Sequence, residues 1–230
     1  NLDNYTYDEI GQLISDKSKE IANIEWSISG KVNRVTRTAT STKPDLVFLY
    51  DAKRHRIMKS VIEKGGDVKN TYYVYDMSGK NVLAIYESNN GSAPIEKEQY
   101  IYGAGRIGVL KPSTEQNEHV VGSKEYEITD HLGDVRVEIS DKQNSGQVEV
   151  ISAIDYLPFG MIARQSNPSV RFTFNGKEMD EEWGLQNYGR RYYDPVLCRF
   201  ISVDPITNQY PMLTPFQFAS NTPIWAFDMD

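Results

Sequence analysis

Two acidic sites near the carboxyl end of the sequence contain the residue types best suited to chemistry. Asp204 precedes Pro205, and Asp228 lies further along the chain. Two carboxylates held close together cannot both ionise cheaply, so one keeps a proton that it can donate while the other can activate water as a base. Arg199, five residues before Asp204, could orient a carboxylate through a two-pronged ion pair.

A structural interpretation of the same residues competes with this chemistry. Asp204-Pro205 is a turn signal, and Asp228 could cap the end of a strand. The pattern alone favours these structural roles. Asp230 is a spare carboxylate that could replace Asp228, so the choice within that pair stays open.

Cysteine and histidine offer little further chemistry. Cys198 is the only cysteine, which excludes an internal disulfide, and no histidine lies within forty residues of it to act as a base. We therefore predict that Cys198 is a small buried hydrophobic residue. The three histidines are far apart, and we predict neither a metal site nor a cofactor.

Two charged runs also have plain structural explanations. Residues 180–182 are all acidic but lack the spaced oxygen ligands of a calcium loop, so we predict a solvated turn. Arg190 and Arg191 precede two tyrosines, which favours cation–π packing within a sheet over base stacking. The formal net charge of −7 also argues against a nucleic-acid partner.

The composition fits a folded chain outside the membrane. The sequence has 230 residues, 39% of them hydrophobic and 25% charged, and no apolar stretch long enough for a spanning helix. Tyrosine occurs 15 times, and it suits a half-buried strand that keeps a polar tip. No signal peptide is visible at the start, and we expect the chain to be a piece of a longer polypeptide.

The elements that must position these residues form a repeat. In most units an aromatic residue is followed by a polar turn residue, in several cases with a glycine behind it, and an alternating strand then begins. Successive units lie roughly 19 to 27 residues apart. The units begin at Tyr7-Asp8, Trp26-Ser27, Tyr50-Asp51, Tyr75-Asp76, Tyr102-Gly103, Thr129-Asp130 and Asp155-Tyr156. The turn aspartate can accept backbone N–H bonds two residues on, which fixes the strand register.

These units predict an all-β fold, a spiralling antiparallel sheet that curls because strand twist accumulates. Polar insertions between units should be surface loops. Helical propensity is confined to residues 17–24 and 60–64, and residues 214–220 could form one short helical turn.

Several motifs resemble a known family. The repeated Tyr-Asp turn resembles the YD-repeat of Rhs proteins, and DHLGDVR at 130–136, YLPFG at 156–160 and the long motif at 174–205 resemble the Rhs-repeat-associated core domain. The resemblance implies a shell or cocoon built by residues 1–125 and a core domain at 126–230 that plugs it. It also implies that the core domain cuts the chain just beyond itself.

On this resemblance we predict Asp204 and Asp228 as the aspartyl acid–base pair of self-cleavage, with Arg199 in support. Thr207 and Met229 depart from the Gly and Pro of the family motifs. The implied partner is the chain's own C-terminal toxin, absent from this sequence, with other shell parts or a secretion apparatus. The implied location is manufacture in the bacterial cytoplasm followed by secretion or display at the cell surface.

Two other functions stay open. The chain could be a non-catalytic structural or adhesive YD-repeat protein at the cell surface that binds glycan or a partner through exposed tyrosines. Alternatively, the core domain could act only as a plug, with the cut made by an outside protease.

Overall fold

The fold is a long antiparallel meander, which confirms the predicted all-β class. The computed structural model describes residues 4–113, 122–144, 146–167 and 170–228. Fourteen strands pair in sequence order in one sheet, and no α-helix occurs in these ranges. The strands are β1 (Tyr5–Tyr7), β2 (Leu13–Asp16), β3 (Ile21–Trp26), β4 (Val32–Arg37), β5 (Asp45–Tyr50), β6 (Arg56–Ile62), β7 (Val68–Tyr75), β8 (Val82–Asn89), β9 (Ile95–Tyr102), β10 (Arg106–Lys111), β11 (Ser123–Thr129), β12 (Val135–Asn144), β13 (Gln147–Tyr156) and β14 (Ile162–Ser166).

A second, smaller layer follows the meander, and we call residues 170–228 the C-terminal layer. It contains a four-stranded antiparallel sheet and short 3-10 turns at 174–176, 207–209 and 219–221. Its strands are β15 (Glu178–Asp180), β16 (Leu185–Asn187), β17 (Tyr192–Asp194) and β18 (Arg199–Phe200). The large sheet runs across residue 125, so the division into 1–125 and 126–230 stays a prediction from the motifs.

The segments with helical propensity belong mainly to the sheet. Residues 17–20 form a turn and residues 21–24 lie in β3, while residues 60–62 end β6. Of the span 214–220, only the last two residues enter a 3-10 turn. Tertiary pairing thus overrides weak local propensity.

The turn aspartates act as the sequence predicts. The Asp8 carboxylate accepts backbone N–H bonds from Ile10 at 3.1 Å and Gln12 at 2.7 Å. Asp130 does the same for Leu132 at 2.9 Å and Asp134 at 3.1 Å. These bonds tie each turn to the first residues of the returning strand and so fix the register of the hairpin.

In five of the seven units, an aromatic residue next to the turn links neighbouring hairpins. Its polar tip donates to the backbone carbonyl of the residue that opens a strand of the preceding hairpin, so the polar tip is satisfied within the sheet. The bonds are Trp26 to Leu13 (2.8 Å), Tyr50 to Val32 (2.9 Å), Tyr75 to Arg56 (3.0 Å), Tyr102 to Val82 (2.9 Å) and Tyr156 to Val135 (2.9 Å). A tyrosine or tryptophan side chain therefore connects each of these hairpins to the preceding one by a hydrogen bond.

The C-terminal layer takes part in two hydrophobic cores, and the first joins it to the large sheet. In the first, apolar residues of β2 to β6, among them Phe48, pack against Trp183, Leu185, Tyr192 and Ile201. Trp183 and Tyr192 both lie against Phe48, with ring centroids 5.7 and 5.8 Å from it. Aromatic burial therefore holds this layer against the large sheet.

The second core is aromatic and lies within the C-terminal layer. Its buried members are Phe174, Tyr188, Tyr193, Phe200, Phe218 and Ala219. Gly160 of the YLPFG motif has a φ of +84°, and a Cβ there would lie 2.4 Å from the Phe174 ring. The Tyr193 hydroxyl donates to the carbonyl of Phe159 at 2.8 Å. The YLPFG motif thus places the backbone of Gly160 against the Phe174 ring, where a larger side chain would not fit.

Farther along the sheet the buried face is polar. Glu138 of β12 lies opposite Glu127 of β11 and Ser152 of β13, and it is 5% exposed. Burial raises the pKa of Glu138 to about 7, and the charge of Glu125 adds to this increase.

Glu138→Gln is expected to stabilise the protein at high pH only. Between about pH 4.5 and pH 7 the native state keeps a proton that the unfolded chain has lost, so stability falls as pH rises through this window. Glutamine mimics the protonated acid, so the gain should be about 1–2 kcal/mol at pH 8 and near zero at pH 4. Urea unfolding at both pH values measures it. The exposed Glu149→Gln is the control, and an equal gain at pH 4 would contradict the account.

Candidate functional site

One buried arginine joins the two predicted carboxylates. The Arg191 guanidinium lies 2.9 Å from Asp204 through Nη1 and 3.1 Å from Asp228 through Nη2. The Arg191 residue is 5% exposed, and its guanidinium stacks 3.6 Å from the centre of the Phe200 ring. The structure therefore brings Asp204 and Asp228 to the same side chain, although they are far apart in the sequence.

Local backbone structure positions each member of this group. Arg191 directly precedes β17, and its carbonyl accepts the N–H of Tyr188 at 3.0 Å. The Asp204 carboxylate accepts the N–H of Ile206 at 2.9 Å, so Asp204 also has the turn role that the sequence allowed. Asp228 accepts the backbone N–H of Ala219 at 3.4 Å. Ala219 has a φ of +47°, which turns the chain in a strained region.

The surroundings of Asp228 shift the pKa of its carboxyl group upward. Burial raises the pKa of its carboxyl group above the ordinary value, and Arg191 offsets only part of that effect. The charge of Asp204 raises the pKa of Asp228 further. Asp228 is thus suited to hold a proton while the Arg191 cation faces both carboxylates.

Arg199 lies elsewhere in the structure. Its guanidinium donates to the Tyr7 hydroxyl and sits 5.2 Å from the centre of the Phe216 ring. In the described part of the chain, the cation that contacts both carboxylates is Arg191, which the sequence analysis assigned only to cation–π packing. That packing is confirmed by the Phe200 contact. Asp230 lies outside the described residues.

Cys198 differs from its predicted environment. It was expected to be buried, and it is exposed at a φ of +57° in the turn between β17 and β18. This turn needs a residue in the left-handed backbone region, which glycine adopts most readily. The turn directs the Cys198 side chain outward. The prediction of a buried thiol was wrong.

The acidic run at 180–182 is not a simple solvated turn. Asp180 is fully buried and accepts hydrogen bonds from Arg56 of β6 and, at 2.9 Å, from Lys59. Arg56 also ion-pairs with Glu178. Arg56 is 2% exposed. The side chains of β6 and β15 therefore form a desolvated ion cluster that fixes the large sheet to the C-terminal layer.

A second polar link connects the sequence motifs. The Asp134 carboxylate accepts the backbone N–H of Asn175 at 2.7 Å and its side-chain amide at 3.0 Å. The Tyr188 hydroxyl donates to the Asn175 side chain at 2.8 Å. Hydrogen bonds of Asn175 therefore connect the DHLGDVR motif to the long motif at 174–205, next to Arg191.

The described residues contain no group of three or more His, Cys, Asp or Glu side chains arranged to hold a metal ion. No helix in the described ranges is long and apolar enough to cross a membrane.

A meander of Tyr-Asp hairpins covered by an aromatic, motif-rich layer defines a YD-repeat shell protein. Comparison with a family profile gives a match to the teneurin YD-shell over residues 2–224. The chain belongs to the teneurin YD-shell family, which confirms the resemblance drawn from the motifs.

Three relatives show the breadth of this similarity. The chain is 34% identical over 238 residues to salivary gland surface protein 1 of Aedes aegypti, covering 97% of this chain and 6% of that protein. It is 27% identical to the toxin subunit YenC1 of Yersinia entomophaga (90% and 22% covered). It is 29% identical to the tRNA nuclease WapA of Bacillus subtilis (89% and 8% covered). The chain thus spans only a small part of these relatives.

Solved structures share the fold. The Photorhabdus luminescens Tc holotoxin pore superposes with a TM-score of 0.74 at 19% identity, covering 97% of this chain and 10% of that one. The TcdB2-TccC3 crystal structure gives 0.71 at 18% identity, with 98% and 13% covered. These likenesses support the shell architecture.

Proposed function

We propose that this chain is the C-terminal portion of a toxin-encapsulating shell whose core domain, residues 126–230, cuts the polypeptide just beyond itself. The observation that carries the proposal is the contact of Arg191 with both Asp204 and Asp228. The names of two relatives, the toxin subunit YenC1 and the tRNA nuclease WapA, support a toxic C-terminal cargo. The cargo would be the chain's own C-terminal domain, made in the bacterial cytoplasm and then secreted.

The proposed reaction is hydrolysis of one peptide bond by acid–base chemistry. Asp204, whose carboxylate lies 2.9 Å from Arg191, takes a proton from water as the water attacks the scissile carbonyl carbon. Asp228, whose pKa burial raises, donates a proton to the carbonyl oxygen and stabilises the tetrahedral intermediate. Collapse of that intermediate breaks the carbon–nitrogen bond. The amine leaves with the proton that Asp204 took from water, and one hydroxyl of the intermediate returns its proton to Asp228, which leaves a carboxylic acid. Because cargo and shell share one chain, a single turnover completes the task.

The raised pKa of Asp228 leads us to expect slower processing at high pH. The acid must be protonated to donate its proton. Because the pKa of Asp228 is raised, its carboxyl group stays protonated to a higher pH than that of an ordinary aspartate. The rate is therefore expected to fall as pH rises through that pKa.

Paired amide substitutions test the proposal. In the full natural chain, Asp204→Asn and Asp228→Asn should each leave one uncut product, whereas the parent gives two. Asp141→Asn, at an exposed carboxylate, is the matched control and should be cut like the parent. Cutting that continues in both amide variants would refute self-cleavage and indicate an outside protease.

A second candidate is a non-catalytic protein of the cell surface, favoured by the relative described as a salivary gland surface protein. Adhesion through tyrosines has limited support, because Tyr50, Tyr75, Tyr102 and Tyr156 donate their hydroxyls to backbone carbonyls. Tyr210 is exposed. If surface adhesion is the function, Tyr210→Ala should weaken glycan binding, and the Asp204→Asn variant should behave as the parent does.

A further inference from the structure

An open cleft of about 1060 Å³ lies between the hairpin turns of the large sheet and loops of the C-terminal layer. The turns that follow β3, β5 and β7 form one wall, and residues 175–177 and 187–191 belong to the other. Its volume lies just above the range of about 300–1,000 Å³ for small-molecule sites, so it has room for a larger ligand.

The charge of the cleft opposes that of the chain. The sequence carries a net charge of −7, yet nine lining residues are lysine or arginine and one, Glu178, is acidic. Glu178 is already neutralised by Arg56 and Arg171. Cations are therefore concentrated here in a chain that is otherwise rich in carboxylates, and such a wall attracts anions.

Part of this positive charge is available. Arg56, Arg106 and Arg191 are held in ion pairs within the protein. Four further cations are exposed and have no carboxylate partner in the described part of the chain. They are Lys53, Arg54, Lys80 and Arg190.

The nearest turn carboxylates are already bonded. Asp51 accepts the His55 N–H at 2.8 Å and contacts its ring nitrogen at 2.9 Å. Asp76 accepts bonds from Ser78 at 2.7 Å and Asn81 at 2.8 Å, and these bonds lower its pKa to about 2. Both stay ionised and lower the net potential, but neither neutralises the four exposed cations by direct contact.

We propose that this cleft binds an acidic segment of polypeptide in an extended conformation. The exposed cations would pair with Asp or Glu side chains, and the amide side chains of Asn81 and Asn187 along the walls suit a peptide backbone. Nucleic acid fits less well, because base stacking needs open aromatic faces. The Tyr75 ring packs against His55, and the Phe172 ring is covered by Arg106 at 3.6 Å.

Fluorescence anisotropy with the full natural chain tests this proposal. The probe is a fluorescein-labelled peptide of alternating Glu and Gly, compared with a Gln-Gly peptide and an oligothymidine of the same length. The cleft variant combines Lys53→Gln, Arg54→Asn, Lys80→Gln and Arg190→Gln. Asparagine at 54 tolerates the φ of +72° found there. A matched variant changes Lys17, Lys97, Lys124 and Lys142, which lie outside the cleft, to Gln.

The acidic peptide should bind, and its Kd should rise at least about tenfold in the cleft variant and by less than about twofold in the matched one. Binding should also weaken as salt rises from about 0.05 to 0.3 M. Equal binding of the Gln-Gly peptide, an equal loss in both variants, or tighter binding of oligothymidine would overturn the proposal. None of these outcomes depends on self-cleavage, since no substituted residue belongs to the Asp204 and Asp228 site.

Discussion

Arg191→Lys in the full chain is expected to slow self-cleavage by about 100-fold, because a lysine ammonium cannot hold two carboxylates in the two-pronged geometry of a guanidinium. Arg191 contacts Asp204 at 2.9 Å and Asp228 at 3.1 Å through its two terminal nitrogens. Lysine keeps the positive charge, so the loss would report geometry more than charge. The measurement is the fraction of uncut chain over time by intact mass.

The matched substitution is Arg199→Lys, because the sequence suggested Arg199 for this supporting role. Arg199 contacts Tyr7 and Phe216 in the structure, so its replacement should change the cutting rate by less than about threefold. A larger effect at Arg199 than at Arg191 would return the role to Arg199 and contradict the geometric assignment. The pH dependence of the cutting rate separates a positioning role from a loss of folding. A folded variant that cuts slowly still gives a rate that changes with pH, whereas a misfolded chain gives no such dependence.

Arg56→Met is expected to destabilise the folded chain by about 3–5 kcal/mol, because it leaves Glu178 and Asp180 as buried charges without their main partner. Both carboxylates are 5% exposed or less. Arg56 also receives ring contacts from Phe48 and Tyr73, at 5.5 and 4.9 Å, which methionine retains in part. Chemical unfolding followed by tryptophan fluorescence measures the loss.

A combined variant separates charge from packing in this cluster. Arg56→Met with Glu178→Gln and Asp180→Asn removes the cation and both anions together. Most of the lost stability should return, because the remaining cations keep partners: Lys59 has Glu182 at 3.0 Å, and Arg171 has Glu98 at 2.9 Å. If the combined variant is as unstable as Arg56→Met, packing rather than charge holds this interface.

The repeat could be predicted from the sequence because its determinants are local. The aspartate at the start of a turn can bond to backbone amides of the same turn, as Asp8 and Asp130 do. The partner of each tyrosine hydroxyl could not be predicted. The Tyr50 hydroxyl reaches the carbonyl of Val32 across the neighbouring strands, and the spacing of two repeats does not give that register.

The alternation of polar and apolar residues within a strand predicted the buried face less well. The pattern at 135–139 places Val137 and Ile139 on one face, yet Glu138 and Ser140 are the buried residues. A bulge between β11 and β12, after Ile128, shifts the register at Val135. One extra residue moves the alternate side chains to the other face.

The candidate site was predictable in part. The family motifs pointed to Asp204 and Asp228, and the structure brings both to Arg191. Arg191 had no distinguishing signal in the sequence, because its role depends on how the chain after β18 folds back over Phe200. The burial of Asp180 was missed for the same reason, since its partners Arg56 and Lys59 lie more than a hundred residues away.

The central claim is that the chain cuts itself, and one measurement tests it most directly. The full natural chain and its Asp204→Asn variant would be made in a translation system reconstituted without proteases, and their intact masses compared. We predict two products from the parent, with a break shortly after residue 230, and one uncut product from the variant. A single uncut chain from both would contradict self-cleavage and leave Asp204 as a turn residue bonded to Ile206.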